Sequence, residues 1–137
     1  MRRPGAAFAV LVAACTQAMP PTPAAVPGPG LPGEWRVLAV NGRPTSGSAK
    51  IAPPIFTIDF GCNWGRGGSR IEGSALIPVM PMAVTERACM NLDGTPAASM
   101  QHEDEGFRIA SRPMQFTFHG PDRVRLSNEA GTIDLER

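Results

Sequence analysis

MQFTFHGPDRVRLSNEAGTIDLE, Met114 to Glu136, is the stretch that decides the fold class. Phe116 and Phe118 alternate with Gln115 and Thr117, and the pattern continues through Val124, Leu126, Ile133 and Leu135. A period of two puts neighbouring side chains on opposite faces of a strand. Gly120-Pro121-Asp122 and the stretch from Asn128 to Gly131 carry turn chemistry. Three strands and two turns therefore make a meander with one apolar face. The same period recurs upstream. Trp35, Val37 and Ala39 alternate before Asn41-Gly42, and Phe56, Ile58 and Phe60 alternate with Thr57 and Asp59. Ile71 begins a further short strand that ends near Leu76. Residues 97–110 differ: Met100, Asp104, Phe107 and Ala110 fall on similar faces of a helix. Gly106 weakens that helix by up to ~1 kcal/mol. The expected fold is mainly β, a curved antiparallel sheet or barrel-like domain with one helix against it.

The N-terminus has a different grammar. Arg2 and Arg3 precede an apolar run from Ala6 to Ala14, which closes on Cys15. The run is too short to cross a bilayer, which takes ~20 helical residues. It has the layout of an export signal, with small residues before the cut. Leu11-Val12-Ala13-Ala14-Cys15 resembles the bacterial lipobox, and that resemblance makes Cys15 the lipid attachment site. An ordinary signal cut near Ala18 is the alternative. Residues 16–33, TQAMPPTPAAVPGPGLPG, suit a spacer, because proline lacks a donor and fixes its own backbone. Fully extended, this spacer reaches about 55 Å. The expected organisation is a signal over 1–14, a tether over 15–33 and a domain over 34–137.

Composition excludes several classes. The formal net charge is +1, and Lys50 is the only lysine, so there is no nucleic-acid footprint. Tyrosine is absent and aromatic residues are few, which limits the core. An odd cysteine in an exported chain calls for an explanation. The economical one puts lipid on Cys15 and pairs Cys62 with Cys89, a link worth roughly 3–4 kcal/mol. Two free buried thiols are the alternative. The spacing is not a zinc pattern, which would want more Cys or His ligands.

Gly61-Cys62-Asn63 and Met82-Ala-Val-Thr85-Glu-Arg-Ala-Cys89 follow Gly33-x-Trp35 in that order. Together they resemble the META domain, the family of the heat-shock lipoprotein HslJ, over Leu31 to Leu135. The family shows a Gly-x-Trp start, Gly-Cys-Asn, a Thr-x-x-Ala-Cys block, a helix with an acidic residue ahead of an aromatic, and terminal strands. Asp104 and Phe107 match the helix pattern. The resemblance implies a small, mostly β domain with Trp35, Gly61, Asn63 and Thr85 as motif positions. It carries over no active site, because the family has no established catalytic mechanism. The chain departs from the family where Phe60 abuts Gly61 without an intervening strand and turn, and where Trp64 follows Asn63 at once. Physical chemistry assigns the motifs a structural role. Gly61 reaches backbone angles closed to other residues. Asn63 and Thr85 can bond nearby backbone and hold turns.

Catalytic signatures are missing. His102 and His119 are the only histidines, and neither sits in a nucleophile or metal pattern. His102-Glu103-Asp104-Glu105 reads as a solvated helix face, and Gly61 to Gly68 as a wide turn or loop without phosphate-binding residues. Met80 and Met82 flank Pro81 and read as filler before they read as a copper site. The expected function is therefore non-enzymatic, with no cofactor and no metal. The lipobox resemblance, with Thr16 after the cysteine, implies an envelope lipoprotein at the periplasmic face of the outer membrane, and the META resemblance implies a stress-related binding or structural role. Its partners would be the membrane, through Cys15, and an unknown envelope protein or small ligand. The alternative is an inhibitor of an envelope-acting hydrolase such as lysozyme, with Gly65 to Arg70 as the plugging loop.

Overall fold

The computed structural model describes residues 30–137. Cys15, the signal and most of the tether lie outside the described residues. In chain order the elements are β1 (Gly33–Val40), β2 (Arg43–Pro44), β3 (Ser48–Ala52), β4 (Ile55–Asp59), β5 (Trp64–Glu72), β6 (Ala75–Pro78), β7 (Ala83–Val84), α1 (Ser99–Ala110), β8 (Met114–Phe118), β9 (Arg123–Asn128) and β10 (Gly131–Glu136). Eight of the strands run β1-β3-β4-β5-β6-β8-β9-β10, and β10 returns to β1, which closes an antiparallel barrel. The short β2 pairs with β1, and β7 pairs with β5. Closure removes the exposed edges of an open sheet.

The core lies inside the barrel. Val37, Ile51, Phe56, Ile58, Leu76, Met114, Leu126, Ile133 and Leu135 are buried there. The alternation in β1 slips once. The register with β10 shifts between Val37 and Ala39, so Val40 rather than Ala39 turns inward. An extra residue of this kind bends a strand and sharpens its twist.

Helix α1 closes one end of the barrel. Its buried face is Glu103, Gly106, Ile109 and Ala110, not the Met100–Asp104–Phe107 face that apolar spacing suggests. Gly106 explains the choice. A Cβ there would come within 2.4 Å of the Phe60 ring. The glycine that weakens the helix locally lets it seat on the core. Phe107 then meets Phe60 edge-on, with ring centroids 5.0 Å apart.

At the opposite end the described segment ahead of β1 meets the residue after β10. Leu31 is buried, and its carbonyl accepts a bond from Trp35 Nε1 at 2.9 Å. The Arg137 guanidinium lies 4.1 Å from the Trp35 ring centroid. Leu31 and Gly33 thus pack with the barrel.

The glycine-rich stretch expected to be a loop is the wall strand β5. It pairs with β4 along Trp64–Gly68 and with β6 along Ser69–Glu72. Its glycines make room for neighbouring chain. A Cβ on Gly65 would overlap Met82, and one on Gly68 would overlap Val79.

Candidate functional site

The turn between β4 and β5 carries Gly61-Cys62-Asn63, and the segment after β7 carries Thr85 to Cys89. Gly61 has φ +104°, a region that favours glycine. This turn aims Asn63 across the barrel rim. The amide oxygen of Asn63 accepts from Arg87 N at 2.7 Å and from Thr85 Oγ1 at 2.9 Å. Its nitrogen donates to Arg87 O at 3.0 Å and to Glu103 Oε2 at 3.1 Å. The side chain mimics a strand partner for Arg87 and fills its hydrogen-bonding capacity. Thr85 works beside it. Its hydroxyl accepts from Trp64 N at 3.1 Å, and its own N–H donates to Trp64 O at 3.0 Å.

Glu103 completes the arrangement from the helix. It is only 3 % exposed. Its Oε1 accepts from Cys62 N at 3.0 Å and from Asn63 N. A buried carboxylate is costly unless it is hydrogen-bonded, and three donors meet this one. Glu103 is therefore not on a solvated helix face, as the run His102 to Glu105 suggests, but under the Gly-Cys-Asn turn. One signal for its burial was present: Glu103, Gly106 and Ala110 share a helical face by spacing, and two of the three are small.

Cys62 and Cys89 meet at the same place. Their Cα atoms are 6.1 Å apart, within the range a disulfide spans, and they form a disulfide-capable pair. Beyond Cys89 the chain makes a tight projection. Ala97 N returns to Cys89 O at 2.9 Å, and Asn91 N bonds Thr95 O at 2.8 Å. Asp93 Oδ1 accepts from Thr95 N and Thr95 Oγ1, and these bonds hold its carboxyl below the usual range. Leu92 at the tip is fully exposed.

The structure thus brings Gly61, Cys62, Asn63, Thr85 and Cys89 into one clasp and adds Glu103. It leaves Trp35 elsewhere, buried at the opposite end of the barrel. His102 lies on α1 and His119 beside the β8–β9 turn, so they share no site. Among the described residues no group of three or more His, Cys, Asp or Glu could hold a metal ion. Met82 packs against Gly65 and Met80 is exposed. A cleft of about 490 Å³ opens beside the clasp, bordered by Thr85, Arg87, Met100, Asp104 and Phe107. The chain was compared with family models, curated proteins and solved structures, and none matches.

Proposed function

We propose that this chain is a lipid-anchored envelope lipoprotein whose META-like barrel is a non-catalytic binding or structural module, serving under stress. One observation supports the non-catalytic reading above others. The polar groups at the motif positions are spent on one another: Asn63 on Arg87, Thr85 and Glu103, and Glu103 on Cys62 and Asn63. A nucleophile or general base needs a group free to reach substrate. These groups instead hold two segments to a helix. The anchor rests on Leu11 to Cys15 behind Arg2 and Arg3. An acylated Cys15 would keep the domain at the periplasmic face of the outer membrane. The test is fractionation of the Cys15→Ala chain. Release from the membrane fraction is the expected result, and retention would remove the anchor from this reading.

The inhibitor alternative relied on Gly65–Arg70 as a plug. That stretch is wall strand, paired on both edges. An inhibitor would have to use a projecting segment instead, and Met90–Pro96 with Leu92 at its tip has that form.

A further inference from the structure

The clasp fixes a residue that it does not itself use. Thr85 pins the backbone of Trp64 at both its N–H and its carbonyl, and the Trp64 side chain stands 47 % exposed on the barrel wall. Register shows what surrounds it. Asp59 lies directly opposite Trp64, while Glu34, Lys50, Thr57 and Arg66 form an adjacent cross-strand row. A depression of about 490 Å³ opens here, lined by Glu34, Ser48, Lys50, Thr57, Asp59 and Trp64, with the buried Trp35 also bordering it.

Asp59 and Lys50 in this depression already have partners. Asp59 Oδ2 accepts from Ser48 N at 3.1 Å and from Ser48 Oγ, and Oδ1 accepts from Gly61 N at 3.2 Å. Lys50 Nζ sits 3.3 Å from Glu34 Oε1. A strongly charged ligand would have to compete with these pairings, whereas a neutral one need only add hydrogen bonds to them. What it offers is one aromatic face on a pinned stretch of backbone, beside carboxylate, hydroxyl and ammonium groups. An exposed indole presents an apolar face with a polar edge. A sugar ring is built to match. Its C–H face is apolar, and its rim carries hydroxyls that both donate and accept. A shallow, open site suits a chain of such rings better than one compact molecule.

We propose that this face binds a neutral oligosaccharide. Trp64 stacks on one ring, and Asp59 and Lys50 bond hydroxyls of the same ring or its neighbour. The binding goes beyond the lipoprotein reading and stands whether or not Cys15 is acylated.

The tryptophans make the test direct. The chain has two, Trp64 exposed and Trp35 3 % exposed but bordering the same depression, so the part of an emission change that is lost in Trp64→Phe is the part that Trp64 reports. The full-length protein is titrated with chitotriose, cellotriose and maltotriose while emission is followed, and each variant is measured by calorimetry. The expected result is saturation by at least one series, with a dissociation constant on the order of 1 mM or tighter. Trp64→Ala should weaken that binding at least about tenfold and Trp64→Phe by less, because the phenyl face still stacks. Lys50→Ala touches only an exposed side chain. It should weaken binding about threefold or more with the melting temperature unchanged, which covers the case in which Trp64→Ala fails to fold. No saturation by any of the three sugars would overturn the proposal. So would undiminished binding by folded Trp64→Ala or by Lys50→Ala, or displacement of the sugar by inorganic phosphate.

Discussion

Glu103 shows how a residue changes meaning when its surroundings are known. In sequence it is one of three acids in a row, on an apparently solvated helix face. In the fold it is the acceptor on which the Gly-Cys-Asn turn is built. Removing it strands the N–H groups of Cys62 and Asn63 and one amide proton of Asn63 in a buried place. Each unsatisfied buried donor costs about 1–3 kcal/mol. Glu103→Ala should therefore lower unfolding free energy by roughly 2–4 kcal/mol, since the donors share one pocket and partly relax. Glu103→Gln should fall between that variant and the native chain. Its amide oxygen can still accept from the backbone, but its nitrogen would face the donating nitrogen of Asn63. Urea unfolding of the two variants measures both numbers. Equal stability of Glu103→Ala and the native chain would refute the role. Asn63 illustrates the converse. Its type and its turn were readable in sequence, but its partners were not, because Arg87 and Glu103 come from remote segments.

Strands were legible where one face is apolar and unbroken. Elements β8, β9 and β10 show period two in every residue that matters, and they lie where that pattern places them. Strand β5 was not legible, because its inward positions include Gly65 and Gly67 and so carry no apolar signal. Its small residues serve the chain that packs on them, and that chain is non-local. The helix was legible in place but not in orientation, since its buried face includes a glycine and a glutamate. The closing seam between β1 and β10 could not be read from periodicity either, yet it makes a testable difference. Glu136 takes hydrogen bonds from Arg36 and from Arg123, which hold its carboxyl below the usual 4.5. Arg125 pairs with Asp134 across the neighbouring β9–β10 ladder at 2.7 Å. A carboxyl with a lowered folded pKa stabilises the fold above its unfolded value. That contribution is lost as pH falls through the lower folded value. The melting temperature should therefore drop as pH is taken below 4.5, and Glu136→Gln should flatten the drop. An identical pH profile for the two proteins would show that the seam pairs contribute nothing.

At the scale of the whole molecule the barrel has two unlike ends. Helix α1 and the clasp close the end where β1 finishes, with Asn41 Nδ2 bonded to Glu105 at 2.9 Å. The chain enters and leaves at the other end, where Arg137 bonds Pro32 O at 2.9 Å. If Cys15 carries lipid, the tether joins the barrel at the end away from the clasp. The projection at Met90–Pro96 springs from Cys89, which the clasp holds at the helix end of the barrel. This layout depends on the entry segment belonging to the fold. Leu31 is 2 % exposed, and it caps Trp35 through its carbonyl. Full burial of a leucine side chain contributes about 1.5–3 kcal/mol. A chain that starts at Gly30 should accordingly be more stable than one that starts at Gly33 by roughly 2–4 kcal/mol, once the lost bond to Trp35 Nε1 is added. Trp35 emission should also shift to longer wavelength in the shorter chain, as water reaches the indole. Thermal melts and emission spectra of the two chains decide it. Matching curves would mean that the barrel is sealed without Leu31, and that the fold begins where the strand does.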